Sequence, residues 1–345
     1  ITTDVNKHNR ISVDELLDKI ERYKAYIKDL PMIRAEIENS VNSEAIRVKD
    51  IIKNILDVSI PISLSALIAT VSKNIDSFTI INGLKEKIGY EMAKKQYGIL
   101  SGKVDTLINL PLSFCMAIAT ALLPSIAATN GNIKEREKRI NHSILLEMYI
   151  SIPSILVLMF FSTQILGMLF PNAKDGGELL SISAISIFFI TIEQITNNIL
   201  HAIGKTKIPV ISIVLGTITK AILNYILVPR TDFILGGTKG AAFATVVCHA
   251  IAGMTSYIYL IKHTKLKILK RNFIKPLFAS AILVITSKVL YRILNFKASI
   301  KLIISLAVGV LVYLIIIKAM EKLMIISKKS PKYWKIAKKK KDFVF

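Results

Sequence analysis

Long runs of apolar residues separate the charges of this chain and limit the folds open to it. Of the 46 lysines and arginines in its 345 residues, only Lys73, Lys220 and Lys288 lie well inside these runs. A mean hydropathy of +0.51 exceeds what a soluble domain of this length can bury in one core. The runs are roughly 20 to 28 residues long, and a helix crosses the hydrocarbon layer in about 20. The sequence therefore predicts a polytopic membrane protein.

We predict an all-α fold with eight transmembrane helices, because barrel strands would be alternating segments about half as long. The predicted spans are 54–82, 105–128, 143–170, 178–203, 208–229, 238–261, 276–294 and 302–318. Around them we predict a cytoplasmic amphipathic linker over 1–50 and a basic tail over 319–345. The spans themselves divide into a six-helix bundle, 51–261, and two further helices, 262–318.

Positive charge is distributed unevenly over the two sides of these spans. Alternate connections, counted with the termini, carry about three times as many lysines and arginines on one side as on the other. Because cytoplasmic loops collect positive charge, both termini are predicted to be cytoplasmic in a plasma-membrane protein. The lysine-rich tail suits anionic lipids, and since no recognition motif accompanies it, we do not expect it to bind nucleic acid.

Polar groups at membrane depth are the candidate functional residues, since an unpaired charge there is costly. Lys73 and Asp76 lie three residues apart on one face of the first span, either lining a wet cavity or pairing with each other. Glu193, Gln194 and Asn197 form part of a polar stripe in the fourth span, which indicates either a solvated path or hydrogen bonds between helices.

The fifth span adds Lys220 and Asn224 on a shared face. Lys220 is too deep to reach the interface easily. It is a candidate either for attracting an anionic headgroup or for pairing with Glu193. Lys288 is close enough to the end of its span to reach the interface, and we assign it no role.

No pattern of an enzyme, cofactor or metal site is found. Gly204-Lys205-Thr206 lacks the earlier glycine and the preceding strand of a phosphate-binding loop. The five histidines have no metal-ligand spacing, and Cys115 and Cys248 lie singly inside predicted spans. The sequence therefore predicts a protein that is not an enzyme.

Several stretches, in this order and spacing, resemble the stage V sporulation protein B branch of the polysaccharide and lipid-linked oligosaccharide flippases. They read IPISLSA at 60–66, YGILSG at 97–102, ATALLPSI at 119–126, HAIGKTKIP at 201–209, KAILNYILVP at 220–229 and GAAFAT at 240–245. The superfamily also includes lipid II flippases and multidrug-extruding antiporters. The resemblance covers about residues 51–318 and implies the second of two six-helix bundles plus a final helix pair. It thus implies that the first bundle is missing from this chain.

The resemblance further implies a transporter that moves a lipid-linked saccharide precursor by alternating access. Lys73 and Lys220 are then expected to offset the charge of a pyrophosphate-linked headgroup, while Asp76, Glu193, Gln194, Asn197 and Asn224 contact sugar or a coupling cation. One alternative is a cation-coupled multidrug exporter of the same fold. Another is a membrane scaffold without transport activity, or the product of a decayed half-gene.

Overall fold

A computed structural model of the protein describes residues 48–127, 133–264 and 271–341, together with Asp18 and Glu21. The chain divides into two compact units, Ile1–Asp57 and Val58–Phe345. In the first unit the described residues are helical. The rest of the predicted linker, 1–50, lies outside the described residues, so that its boundary remains a prediction.

Every regular element among the described residues is a helix, which confirms the all-α prediction. In chain order the helices are α1 Val48–Ile88, α2 Tyr90–Gly98, α3 Asp105–Ala127, α4 Ile133–Phe160, α5 Ser162–Leu169, α6 Gly177–Ala184, α7 Ser186–Ala202, α8 Lys207–Leu227, α9 Thr238–Thr264, α10 Arg271–Ile293 and α11 Ala298–Lys341. A π-helical segment, Ile99–Val104, joins α2 to α3. The last predicted span and most of the basic tail belong to one continuous helix, α11.

Within the described residues, eight helical stretches are long and apolar enough to cross a membrane, which agrees with the predicted number. They are Ile55–Ile88, Tyr90–Ala121, Lys134–Phe160, Gly177–Ala202, Lys207–Leu227, Thr238–His263, Phe273–Ile293 and Ala298–Met320. A helix satisfies its backbone hydrogen bonds internally, which is why long apolar runs adopt it in lipid. The helical assignment continues through Pro61, Pro111 and Pro153, which end none of these spans.

The third predicted span, 143–170, is interrupted. Helix α4 ends at Phe160, Phe161 departs from helical geometry with a φ of −118° and a ψ of 17°, and α5 begins at Ser162. The Ser181 hydroxyl donates to the Met159 carbonyl over 2.9 Å beside this break. The Met159 carbonyl therefore has a hydrogen-bond partner within the membrane, supplied by α6.

Within the second unit the helices pack in a few extended pairs. Helix α9 packs along α8 and α7, α3 packs between α4 and α7, and the pair α10–α11 packs on α4. Buried apolar residues form two clusters, one that includes Leu166, Leu180 and Leu283, and one around Met148 and Ile199.

Helix α1 buries few of its apolar residues in this unit. Leu67, Val71 and Phe78 are all more than half exposed. Farther along the helix, Ile80 is fully buried, and a Cβ on Gly83 would lie 3.0 Å from Val228. The end of α1 therefore packs closely against the end of α8, which places Asp76 and Thr79 beside the polar face of α8.

Candidate functional site

A buried ion pair joins α1 to α8 at membrane depth. Lys220 Nζ lies 2.5 Å from Asp76 Oδ2, and both the lysine and Asn224 are almost entirely buried. Asn224, one turn beyond Lys220 on α8, donates from Nδ2 to Asp76 Oδ1 over 2.8 Å and to Thr79 Oγ1 over 3.1 Å. Three predicted site residues, Asp76, Lys220 and Asn224, thus form one hydrogen-bonded group.

A second pair of ionisable side chains joins α7 to α9. His249 Nδ1 lies 2.7 Å from Glu193 Oε2, and the glutamate is more deeply buried than the histidine. The two helices approach closely at Gly253, one turn beyond His249, where a Cβ would lie 3.0 Å from the Phe189 carbonyl oxygen. Because Gly253 has no side chain, α7 and α9 can approach closely enough for Glu193 and His249 to pair.

Both pairs lie near Cys248 of α9. A Cβ on Gly216 would lie 2.6 Å from the Cys248 carbonyl oxygen, so α8 and α9 are in close contact at this level. The Cys248 thiol is within electrostatic range of Lys220, Asp76 and Glu193. Both pairs therefore lie within electrostatic range of the same buried residue.

Two further charged side chains complete this environment. Asp105, at the start of α3, is half-buried and lies within electrostatic range of Asp76, Lys220, Lys73 and His249. Lys73 is exposed, one turn before Asp76 on α1. Together these groups form what we call the charged cluster: Lys73, Asp76, Asp105, Glu193, Lys220 and His249.

The pairing within the cluster differs from the alternatives that the sequence left open. Lys220 pairs with Asp76 and not with Glu193, whose partner is His249. Asp76 likewise takes Lys220 rather than Lys73 as its partner. Position along one helix could not reveal these choices, because Asp76 and Lys220 are 144 residues apart in the chain.

The other two predicted site residues on α7, Asn197 and Gln194, belong to neither pair. Asn197 accepts a hydrogen bond from the Ser256 hydroxyl over 2.9 Å, and that hydroxyl also bonds Ser212 over 2.9 Å. Asn197 therefore connects α7, α9 and α8, as expected for a polar bond between helices. Gln194 is half-buried, and its Oε1 has no hydrogen-bond partner among the described residues.

Sequence reasoning missed Asp105, His249 and Thr79. The first two are ionisable residues inside a span, so the criterion that identified the lysines also applies to them. Asp105 stands at the boundary of its predicted span, and His249 is a lone histidine without ligand spacing. Thr79 has no such signal, because a threonine in a membrane helix ordinarily bonds its own backbone, as Thr79 also does to Ile75.

An apolar groove of about 570 Å³ opens beside α10 and α11. Its walls come from α3, α4, α5, α10 and α11, and Pro111 and Pro153 are among the lining residues. Leu283, Leu302 and Leu306 line the side formed by the final helix pair. A groove with these walls can hold a flexible hydrocarbon chain.

Lys288, to which we assigned no role, lies outside the charged cluster. Its Nζ stands 4.5 Å from the centre of the Phe160 ring, near the C-terminal ends of α4 and α10. Within the part of the chain that the structure describes, no group of three or more histidine, cysteine, aspartate or glutamate residues could hold a metal ion.

Comparison with known proteins connects this arrangement to one family of transporters. Residues 103–317 match the family described as "Lipid II flippase MurJ". The lipid II flippase MurJ of Bacillus subtilis is 26% identical over 258 residues, which are 70% of this chain and 46% of that protein. Stage V sporulation protein B of the same organism is 24% identical over 230 residues, or 65% of this chain and 42% of that protein.

A solved structure shows a similar fold. The lipid II flippase MurJ in an inward closed conformation matches with a TM-score of 0.58 at 22% identity, over 74% of this chain and 52% of that one. The chain spans less than half the length of the two curated relatives. With the family match covering 103–317, well over half of the chain, this multi-pass membrane protein belongs to the lipid II flippase MurJ family.

Proposed function

We propose that the chain forms part of a flippase that moves a lipid-linked saccharide precursor across the cell membrane. The observation that carries the proposal is the charged cluster, in which Lys73 and Lys220 lie at membrane depth among acidic side chains in a member of this family. A transporter of a charged headgroup needs charged side chains within the bilayer. In proteins without such a function these side chains are rare, because placing a charge in the membrane is costly. The role is transport rather than catalysis.

The two lysines take different parts in this proposal. Lys220 is already neutralised by Asp76 and held in place by the Asn224 hydrogen bond to the same carboxylate. Lys73 is exposed, so it is the cation available to a pyrophosphate-linked headgroup. Asp105, Glu193 and Gln194 are then the neighbouring groups that can contact sugar hydroxyls or a coupling cation, while Asn197 positions α7.

The apolar groove suits the lipid part of such a substrate. It is lined almost entirely by apolar side chains and shares α3 with the charged cluster. A polyisoprenoid-like chain in the groove would remain in a hydrocarbon environment while the headgroup reaches the cluster.

The proposal requires a second wall facing the cluster. The chain matches less than half the length of its curated relatives, and α1 leaves apolar residues uncovered. We propose that residues 51–261 form one bundle, that 262–318 are its accompanying pair, and that a first bundle provides the other wall. The two walls would then alternate between inward- and outward-open arrangements.

We also propose that both termini are cytoplasmic, with the lysines of α11 facing anionic lipids. Cysteines placed at Lys205 and Asp232 in a cysteine-free background test this topology. A membrane-impermeant thiol reagent added outside cells should label the cysteine at position 232 and spare the one at position 205. The reverse labelling would contradict the orientation.

Binding of a lipid-linked saccharide diphosphate to the purified protein tests the role of Lys73. Changing Lys73 to Ala removes a charge-assisted hydrogen bond of about 1.5–3 kcal/mol, so affinity should fall about tenfold to a hundredfold. Lys288→Ala is the matched control, since it removes an exposed membrane lysine outside the cluster. Equal losses of affinity in the two variants would show that Lys73 has no specific role.

A further inference from the structure

Glu147 is a fully buried carboxyl group at the midpoint of the span Lys134–Phe160. Neither Oε1 nor Oε2 has a hydrogen-bond partner among the described residues. Moving an isolated carboxylate from water into an apolar interior is so unfavourable that such a group normally pairs, binds a cation or takes up a proton. The position of Glu147 therefore requires an explanation that the charged cluster does not provide.

Two uncharged polar side chains are buried on the helices that pack against α4. Cys115 of α3 is fully buried, with its sulfur 4.0 Å from the Glu147 carbonyl oxygen. The thiol also faces the hydroxyl of Thr191 on α7. Thr191 is fully buried as well, and its hydroxyl has no oxygen or nitrogen partner in the described part of the chain. Glu147, Cys115 and Thr191 are thus buried residues of three helices, α4, α3 and α7, that pack against one another.

Several ionisable groups on the neighbouring helices have other contacts, and His201 of α7, whose Nδ1 has no partner among the described residues, makes no hydrogen bond with the Glu147 carboxyl group. Glu193 of α7 pairs with His249, and Asp105 of α3 belongs to the charged cluster. On α10, Lys288 lies over the Phe160 ring, and Lys275 makes contacts of its own. On α6, Glu178 forms its ion pair with Lys239. The described ion pairs therefore give Glu147 no countercharge.

The donor set favours a proton over a metal cation. The oxygens without partners are the two of the Glu147 carboxyl group and the single hydroxyl of Thr191. Hard cations such as Ca²⁺ need about six to eight oxygen ligands, and Mg²⁺ requires an octahedral set. A thiol is a poor ligand for them. A proton needs only the carboxylate itself.

We propose that Glu147 is a proton-binding group of the transport cycle, which holds a proton while α3, α4 and α7 are packed as they are here and releases it when these helices separate. The binding itself depends only on the environment of Glu147. Its coupling to transport rests on the proposed function. Each step has a proton donor and an acceptor. The carboxylic acid loses its proton to water that enters between the helices, and the carboxylate takes up a proton from water before the helices close again.

Infrared spectroscopy of the purified protein in lipid tests the binding step. At neutral pH the wild type should show the carbonyl stretch of a protonated carboxylic acid, and Glu147→Gln should lack that component. Glu178→Gln is the matched control, because Glu178 is exposed and paired with Lys239, so its change should leave the component intact. Absence of the component in wild type, or its persistence in Glu147→Gln, would overturn the proposal.

If Glu147→Gln fails to fold, an isotopic measurement can still contradict the proposal, because it separates glutamate from aspartate. Labelling the glutamate carboxyl carbons of the wild type should move the same component to lower frequency. A component that does not move comes from aspartate and overturns the assignment to Glu147.

Translocation in vesicles tests the coupling step, with the complete gene product reconstituted and a lipid-linked saccharide as substrate. Wild-type rates should respond to a pH gradient, and Glu147→Gln should lose that response, since glutamine cannot exchange a proton. An equal response in both proteins overturns the coupling. If the wild type moves no substrate, the proposed function and the coupling both fail, whereas the infrared result still decides whether Glu147 binds a proton.

Discussion

At the scale of single residues, one rule identified most of the charged cluster. An ionisable group at membrane depth needs a partner or a wet cavity, and this pointed to Lys73, Asp76, Glu193 and Lys220. The rule could not select partners, because pairing depends on which helices face each other. Lys220 and Asp76 pair only because the ends of α1 and α8 meet near Gly83 and Val228, a contact without a local sequence signal.

The Lys220–Asp76 pair gives a prediction about stability. Lys220→Ala leaves a mostly buried carboxylate without its countercharge, which should lower the free energy of unfolding by about 3–5 kcal/mol. Thermal unfolding in detergent, followed by circular dichroism, measures this loss.

Two controls distinguish the pair from a general effect of removing lysine. The double change Lys220→Met with Asp76→Asn removes both charges of this pair and should recover much of the lost stability. Lys239→Ala breaks the exposed pair with Glu178 and should cost less than about 1 kcal/mol. Equal destabilisation by Lys220→Ala and Lys239→Ala would contradict a buried, stabilising role for the first pair.

At the scale of helices, hydropathy predicted the number of spans but not their interruptions. In the third predicted span the polar residues Ser162, Thr163 and Gln164 follow Phe161 directly, but apolar residues resume after them, so hydropathy alone predicted one continuous span. At the break, Ser181 of α6 donates a hydrogen bond to the Met159 carbonyl, a contact between residues far apart in the sequence. Prolines are the usual places for breaks, yet α1, α3 and α4 continue through Pro61, Pro111 and Pro153.

Close contact between α8 and α9 at Gly216 yields a second stability prediction. Gly216→Ala places a methyl group against the Cys248 carbonyl and the Ala252 side chain, and overpacking of this kind costs about 1–3 kcal/mol. In α5, a Cβ on Gly167 would have nothing within 4 Å, so Gly167→Ala should not destabilise the protein. Thermal unfolding of both variants gives the comparison, and a neutral Gly216→Ala would show that the helices can separate at no cost.

At the scale of the whole molecule, the sequence predicted an all-α membrane protein and its family, and both are confirmed. Continuous apolar length and family motifs suffice for these conclusions because they need no knowledge of helix packing. The apolar groove was beyond prediction, since its walls come from helices far apart in the chain. The family resemblance did predict a facing bundle, which remains a proposal because it rests on the extent of the relatives rather than on any described contact.

Leaflet-to-leaflet translocation tests the central claim most directly. The complete gene product is reconstituted in vesicles, and a labelled lipid-linked saccharide diphosphate is followed between leaflets. The account predicts transfer by the wild type, slowing of about tenfold or more in Lys73→Ala, since one charge-assisted contact is lost, and an unchanged rate in Lys288→Ala. No transfer by the wild type, or the same rate in both lysine variants, would contradict it.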